Sequence, residues 1–177
     1  MAHAARALVT EAEFLALPES MDKVELIDGE INVSPSPAYR HQEVLRRLLL
    51  ALGNWAAGRS GPITIGQSPL DVRIAANRIL QPDAFVLFAH VPSDHRGPID
   101  AVPELCVEVL STDRIHDRVT KRLLYAAAGV REYWVVELSG VIERWTGPGL
   151  TLAEELRDRV RSPLLPDFEL DLAKLFA

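Results

Sequence analysis

Apolar and polar positions alternate in several short stretches of this 177-residue chain and recur at helical spacing in two longer ones. Thr10 followed by Glu13 is a capping-box pattern that opens a short helix, and Pro18 ends it. The stretch VELI-DG-EINV reads as a β-hairpin, because Asp28-Gly29 between apolar runs suits a type I′ turn. Its register puts Val24, Leu26, Ile31 and Val33 on one face and Glu25 and Asn32 on the other. Pro35 and Pro37 stop the hairpin. From Ala38 to about Trp55, His41, Val44, Leu45, Leu48, Leu52 and Trp55 recur at helical spacing.

After a break rich in glycine, PITIGQSPLDVRI reads as a strand interrupted near Pro69, and ILQPDAFVLF as a second strand. A loop rich in Pro, Gly and Asp leads to a third, ELCVEVL. Ser111 to Asp113 offer caps for a helix that runs to about Ala128 and closes at Gly129. REYWVVEL is a fourth strand, VIERW pairs with it across Ser139-Gly140, and LDLAKLF makes a short final helix. The central order is helix, three strands, helix, strand, behind an N-terminal hairpin. That is an α/β chain of the α+β type with a mixed sheet. It is not doubly wound, because no helix separates the strands within 62–110.

The length fits one domain over residues 1–177. With 48% apolar and 25% charged residues the chain can bury a core. No apolar run approaches the ~18–20 residues of a membrane helix, so no membrane partner is expected. The N-terminus lacks a signal-peptide pattern. Cys106 is the single cysteine, so no intrachain disulfide or cysteine zinc site is possible; together these features point to the cytoplasm. A formal charge of -6 argues against a strongly basic nucleic-acid binder, and 6% aromatics against a base-stacking one. Local basic clusters stay open: the arginines at 46, 47, 114, 118 and 122 read as a solvated face or a phosphate-contacting rim.

Two acids stand out. Asp83 begins the apolar run DAFVLF, and Glu108 lies inside ELCVEVL. A carboxylate in a buried strand is costly unless paired, protonated or metal-bound. Neighbouring strands would bring the two charges together, and a divalent cation would relieve the repulsion. Hard oxygen ligands suit Mg²⁺. The ordinary alternative is an arginine partner or an exposed strand end. If repulsion dominates, Asp83→Asn should unfold no earlier than the parent chain without metal. Lys121 shares a helical stripe with Asp117, Leu124, Tyr125 and Ala128, while Ile115, Val119, Leu123 and Ala126 form an opposite apolar stripe. Such a helix is expected to be covered on both sides, with Lys121 semi-buried beside Asp117 or, alternatively, in a plain surface pair with it. His90, His95 and His116 have no metal-ligand spacing, and Ser111 has no recognisable triad partners.

Asp83 after Pro82, Glu108 in ELCVEVLS and Lys121 in KRLLYAAAGVREYW form an ordered set. Together with VELIDGE, His41 and RSPLLPDFELDLAKLF, the set resembles the Uma-two (Uma2) family of restriction-endonuclease-like proteins, in the PD-(D/E)XK nuclease superfamily. The resemblance runs from about Thr10 to Phe176. It implies a restriction-endonuclease-like core and a Mg²⁺-dependent DNA endonuclease, with Mn²⁺ as a substitute ion. It implies Asp83 and Glu108 as metal ligands, the Val109 carbonyl as a third, and Lys121 as the group that orients water or stabilises charge. The superfamily pattern has a lysine two residues after the second acid; here that residue is Leu110. Glu25 matches the hairpin glutamate, which reaches the metal, holds Lys121 or faces solvent. His41 is a core histidine or supports the site, and Gln67 is a candidate for orienting water. Tyr125 and Trp134 read as core. A homodimer follows by analogy with nucleases that cut two strands. The rival readings are an inactive nuclease-fold binding or assembly module and a hydrolase of small phosphoesters.

Overall fold

A computed structural model describes residues 8–18, 20, 22–110 and 116–177, without the side chains of His116 and Asp117. Thr10 caps helix α1 (Glu11–Leu15): its hydroxyl accepts from the Glu13 amide, and the Glu13 carboxylate accepts from the Thr10 amide in return. Strands β1 (Lys23–Ile27) and β2 (Glu30–Ser34) form the hairpin, turning through Asp28 and Gly29 at positive φ. Helix α2 (Tyr39–Ala57) buries Val44, Leu45, Leu48 and Leu52 along one stripe. Strands β3 (Thr64–Gln67), β4 (Val72–Ala75), β5 (Arg78–Leu80), β6 (Ala84–Leu87) and β7 (Leu105–Val109) follow. A π-helical turn, His116–Lys121, leads into α3 (Arg122–Ala128), which Gly129 ends at φ 93. The chain closes with β8 (Glu132–Glu137), β9 (Val141–Thr146), β10 (Leu152–Leu156), β11 (Arg159–Ser162), β12 (Leu165–Asp171) and helix α4 (Leu172–Leu175).

The central sheet has the order β10-β9-β8-β7-β6-β3, antiparallel except for the parallel pair β7–β8 that α3 connects. A second sheet, β2-β1-β5-β4, carries the hairpin, and β11–β12 form a separate ribbon. Two expected strands are therefore each divided between sheets. PITIGQSPLDVRI gives β3 to the central sheet and β4 to the second, and ILQPDAFVLF gives β5 to the second and β6 to the central one. The breaks fall at Pro69 and Pro82, which lack the N–H a continuous ladder needs. The last three strands escape pattern reading because β10 is mostly exposed and β11 and β12 alternate with charged residues.

Alternation along β6 and β7 sorts the core into two layers. Ala84, Val86, Leu105, Val107 and Val109 join the α2 side, together with Trp134. Phe85, Leu87, Cys106 and Leu110 join the α3 side with Leu124 and Tyr125. The π-helical turn and α3 are together covered on one side only: Val119 and Leu123 are exposed, against the expectation of two covered stripes. The helix packs on the sheet's face, and no other described element lies over its outer stripe. Ile115 lies outside the described residues. Among the described residues no helix is long and apolar enough to cross a membrane.

Gly66 pairs with Phe85 across β3–β6, and a Cβ there would lie 2.0 Å from the ring. Gly66→Ala is therefore expected to destabilise the fold by about 1–3 kcal/mol through overpacking. Gly53→Ala, in open space on α2, should stabilise by about 0.5–1 kcal/mol. Urea denaturation of the two variants checks this opposite sign.

Candidate active site

Strand register brings the two acids together. Ala84 faces Val107 and Phe85 faces Cys106 across β6–β7, so one further step sets Asp83 opposite Glu108. Period-two alternation points Glu108 toward the α3 side of the sheet, while Asp83, in the bend just before β6, also reaches His41 of α2. Both are buried, at 6% and 1% exposure.

Each carboxylate has one oxygen fixed by buried partners and one turned to a shared cation. Asp83 Oδ2 accepts from the Val109 amide at 2.8 Å and lies 3.2 Å from His41 Nε2. Glu108 Oε1 accepts from the Tyr125 hydroxyl at 2.8 Å and from Lys121 Nζ at 2.9 Å. The other two oxygens, Asp83 Oδ1 and Glu108 Oε2, both receive Lys23 Nζ, at 2.9 and 3.0 Å. Lys121 Nζ also lies 2.9 Å from Glu25 Oε1, which accepts the Gln81 amide at 2.8 Å. Gln81 in turn donates its side-chain amide to Asp71 at 2.9 Å. Three carboxylates and two ammonium groups thus alternate through the layer between the sheets.

The chemistry follows from this alternation. Burial opposes ionisation of Asp83, but Lys23 and then His41 outweigh it and hold the carboxyl well below its ordinary value. Burial likewise works against the Lys23 charge, and Glu108 and Asp83 overturn it, raising Lys23 well above the usual lysine range. Burial, reinforced by Glu108, pushes the Tyr125 phenol far up, so it stays a donor. With Asp83 ionised, His41 donates through Nε2; its Nδ1 has no partner among the described residues.

The sequence-selected residues Asp83, Glu108, Lys121, Glu25, Val109 and His41 meet within this cluster. Glu25 is fully buried, so its solvated-face alternative does not hold. The covered face beneath β1 is the reason. Lys121, at 1% exposure, is more deeply buried than its stripe suggested, and the side chain of its expected partner Asp117 lies outside the described residues. Val109 enters through its amide. Gln67 is exposed on β3 and lies outside the cluster. Leu110 is core. Trp134 is core as read. Two participants were missed. Tyr125 does more than pack, and Lys23 is absent from the sequence reading although its i, i+2 spacing to Glu25 puts both on one strand face. The arginines act elsewhere. Arg46 and Arg47 pair with Glu43, Arg118 pairs with Glu137 and Glu143, and Arg122 stacks on Trp145. Arg114 lies outside the described residues.

A cleft of about 200 Å³ opens onto Lys23, Asp83 and Glu108, with Ser20, Ser34, Ser36 and Ser68 among its walls. A larger cavity of about 720 Å³ lies by the β11–β12 ribbon, where Arg144, Arg159 and Arg161 are already paired with Glu154 and Glu169. The smaller cleft is the one that opens onto the charge cluster. Its paired hard oxygens, already turned to one cation, fit Mg²⁺, which commonly uses one or two carboxylates plus water and phosphate oxygens. Among the described residues no group of three or more His, Cys, Asp or Glu side chains forms a closed metal cage.

A family model described as "Uma2: Putative restriction endonuclease" matches residues 11–173. A crystal structure from Anabaena variabilis ATCC 29413, titled "a putative nuclease belonging to DUF820", superposes with a TM-score of 0.78. The two are 22% identical, and the match covers 95% of this chain and 97% of that one, which establishes a shared fold. No curated protein matches the chain.

The lysine partner reverses the expectation for Asp83→Asn, because compensation replaces repulsion. The variant should lose about 1.5–3 kcal/mol, the worth of a hydrogen bond to a charged group. The folded carboxyl titrates below its ordinary value of 3.8, so its contribution is fully present above that pH and is lost as pH falls below it. Denaturant melts between neutral and acid pH should show a steeper stability loss in the parent than in Asp83→Asn.

Proposed function

The chain belongs to the Uma2 family, and on that premise we propose that it is a Mg²⁺-dependent endonuclease hydrolysing DNA phosphodiester bonds. The observation that carries this reading is the cation-ready pair, Asp83 Oδ1 and Glu108 Oε2, at the floor of a cleft. Asp83 and Glu108 would hold the ion, the Val109 carbonyl would add a third oxygen, and Mn²⁺ would substitute. Bound there, the ion supplies polarisation of the scissile phosphate and a water of lowered pKa. The Val109 amide and His41 fix the Asp83 rotamer, and Tyr125 fixes that of Glu108. Lys121 bonds Glu108 from behind and does not line the cleft. Its part is charge: it pairs with Glu108 and adds a fixed positive field near the reacting phosphate. Glu25 holds Lys121 in place. The working form on duplex DNA would be a cytoplasmic homodimer, one site for each strand.

Incubation with supercoiled plasmid tests the reading. Nicking should need Mg²⁺ or Mn²⁺, stop with EDTA, and fall by about 10²–10³-fold in Asp83→Asn. Cleavage that survives chelation would reject it. A folded protein that binds DNA but never cuts would instead be a binding module. Lys121→Met should cost about 3–5 kcal/mol of stability, because it leaves Glu25 and Glu108 buried without their shared cation. Its turnover should fall while Mn²⁺ affinity, measured by calorimetry on the folded fraction, is kept or raised.

A further inference from the structure

Lys23 is the one ammonium of the cluster that lines the cleft. It retains 16% side-chain exposure, whereas Lys121 retains 1%. Its Nζ sits between Asp83 Oδ1 and Glu108 Oε2, the two carboxylate oxygens that no buried partner claims among the described residues. It is thus a monovalent cation in the seat a divalent ion would take. Two cations cannot share that seat, since like charges this close repel by several kcal/mol even at a moderate effective dielectric. Entry of the ion therefore requires Lys23 to leave. The cleft that Lys23 lines gives the ammonium room to move outward, since Ser34 and Ser68 line the same cleft.

Resting on the metal-site reading above, we propose that Lys23 is a placeholder cation that yields its seat to the divalent ion and then contacts the scissile phosphodiester as the site's substrate-facing lysine. A long, flexible stem with a compact ammonium suits both positions. The swing keeps the acids neutralised in the empty protein and brings a positive charge to the phosphate only when the ion is present. Lys23 stays protonated throughout and transfers no proton. The water oxygen bonds phosphorus and the ester P–O bond breaks with its electron pair on the departing oxygen. The proton lost by the water reaches that oxygen through solvent. This arrangement also accounts for Leu110 where a lysine would otherwise stand: the cleft-facing charge comes from β1 instead.

Calorimetric titration with Mn²⁺ of the parent, Lys23→Met and Asp83→Asn, beside plasmid nicking at saturating Mn²⁺, tests the proposal. Lys23→Met should bind Mn²⁺ about tenfold tighter or more, because the competitor is gone. Its nicking should nevertheless fall by about a hundredfold, with KM for DNA raised. Lys23→Gln, which keeps a hydrogen-bonding group in place, covers the case in which the methionine variant does not fold and should behave alike. Unchanged Mn²⁺ affinity in both variants, or parent-like nicking in either, overturns the role of Lys23 and leaves the metal site standing, provided Asp83→Asn has lost Mn²⁺ binding. Failure of all of these proteins to bind Mn²⁺ overturns the metal-site reading itself.

Discussion

Five charges of alternating sign meet in the layer between the central sheet and the hairpin sheet, four of them buried and Lys23 at the cleft, and the arrangement of the molecule around them follows from their need for one another. A lone buried carboxylate costs several kcal/mol after relaxation, and three in one place would not stay ionised. Lys23 and Lys121 each bridge two acids, so every carboxylate meets an ammonium within 3.0 Å. The consequence is mutual dependence. Glu25 is stable in its position because Lys121 is there, Lys121 because Glu108 is, and Glu108 because Tyr125 and Lys23 complete its shell.

This requirement explains why a small chain uses two sheets. The acids come from β6 and β7 of the central sheet, and Lys121 comes from the π-helical turn on its α3 side. Lys23 and Glu25 come from β1 of the other sheet. The excursion β4–β5 leaves the central sheet after Pro69 and returns at Pro82, and β5 pairs with β1. That pairing carries the hairpin over the acids. Asp83 follows directly on the return, so the proline that ends β5 also delivers the first carboxylate.

Much of this was legible in local pattern. The capping box, the Asp-Gly turn, helix α2, and strands β7 to β9 obey short-range rules, and a glutamate inside ELCVEVL announces its own cost. What was not legible depends on pairing between distant segments. Nothing in PITIGQSPLDVRI tells that its halves serve different sheets, since both halves look like strand. Lys23 at the head of a strand looks like an ordinary solvent-facing lysine until β1 is laid over Asp83. Tyr125 looks like core because its ring is core; only its hydroxyl, reaching Glu108, is not. The exposed outer stripe of the π-helical turn and α3 goes the other way: Val119 and Leu123 have the spacing of a buried face and lack a layer to cover them.

Diffraction from crystals soaked in Mn²⁺, recorded for its anomalous signal, addresses the metal site most directly. The account predicts one strong peak bonded to Asp83 Oδ1 and Glu108 Oε2, with Lys23 Nζ moved out of its place between them. A cleft with no anomalous peak and Lys23 still bonded to both acids would contradict it, as would a peak bound elsewhere with this cluster undisturbed.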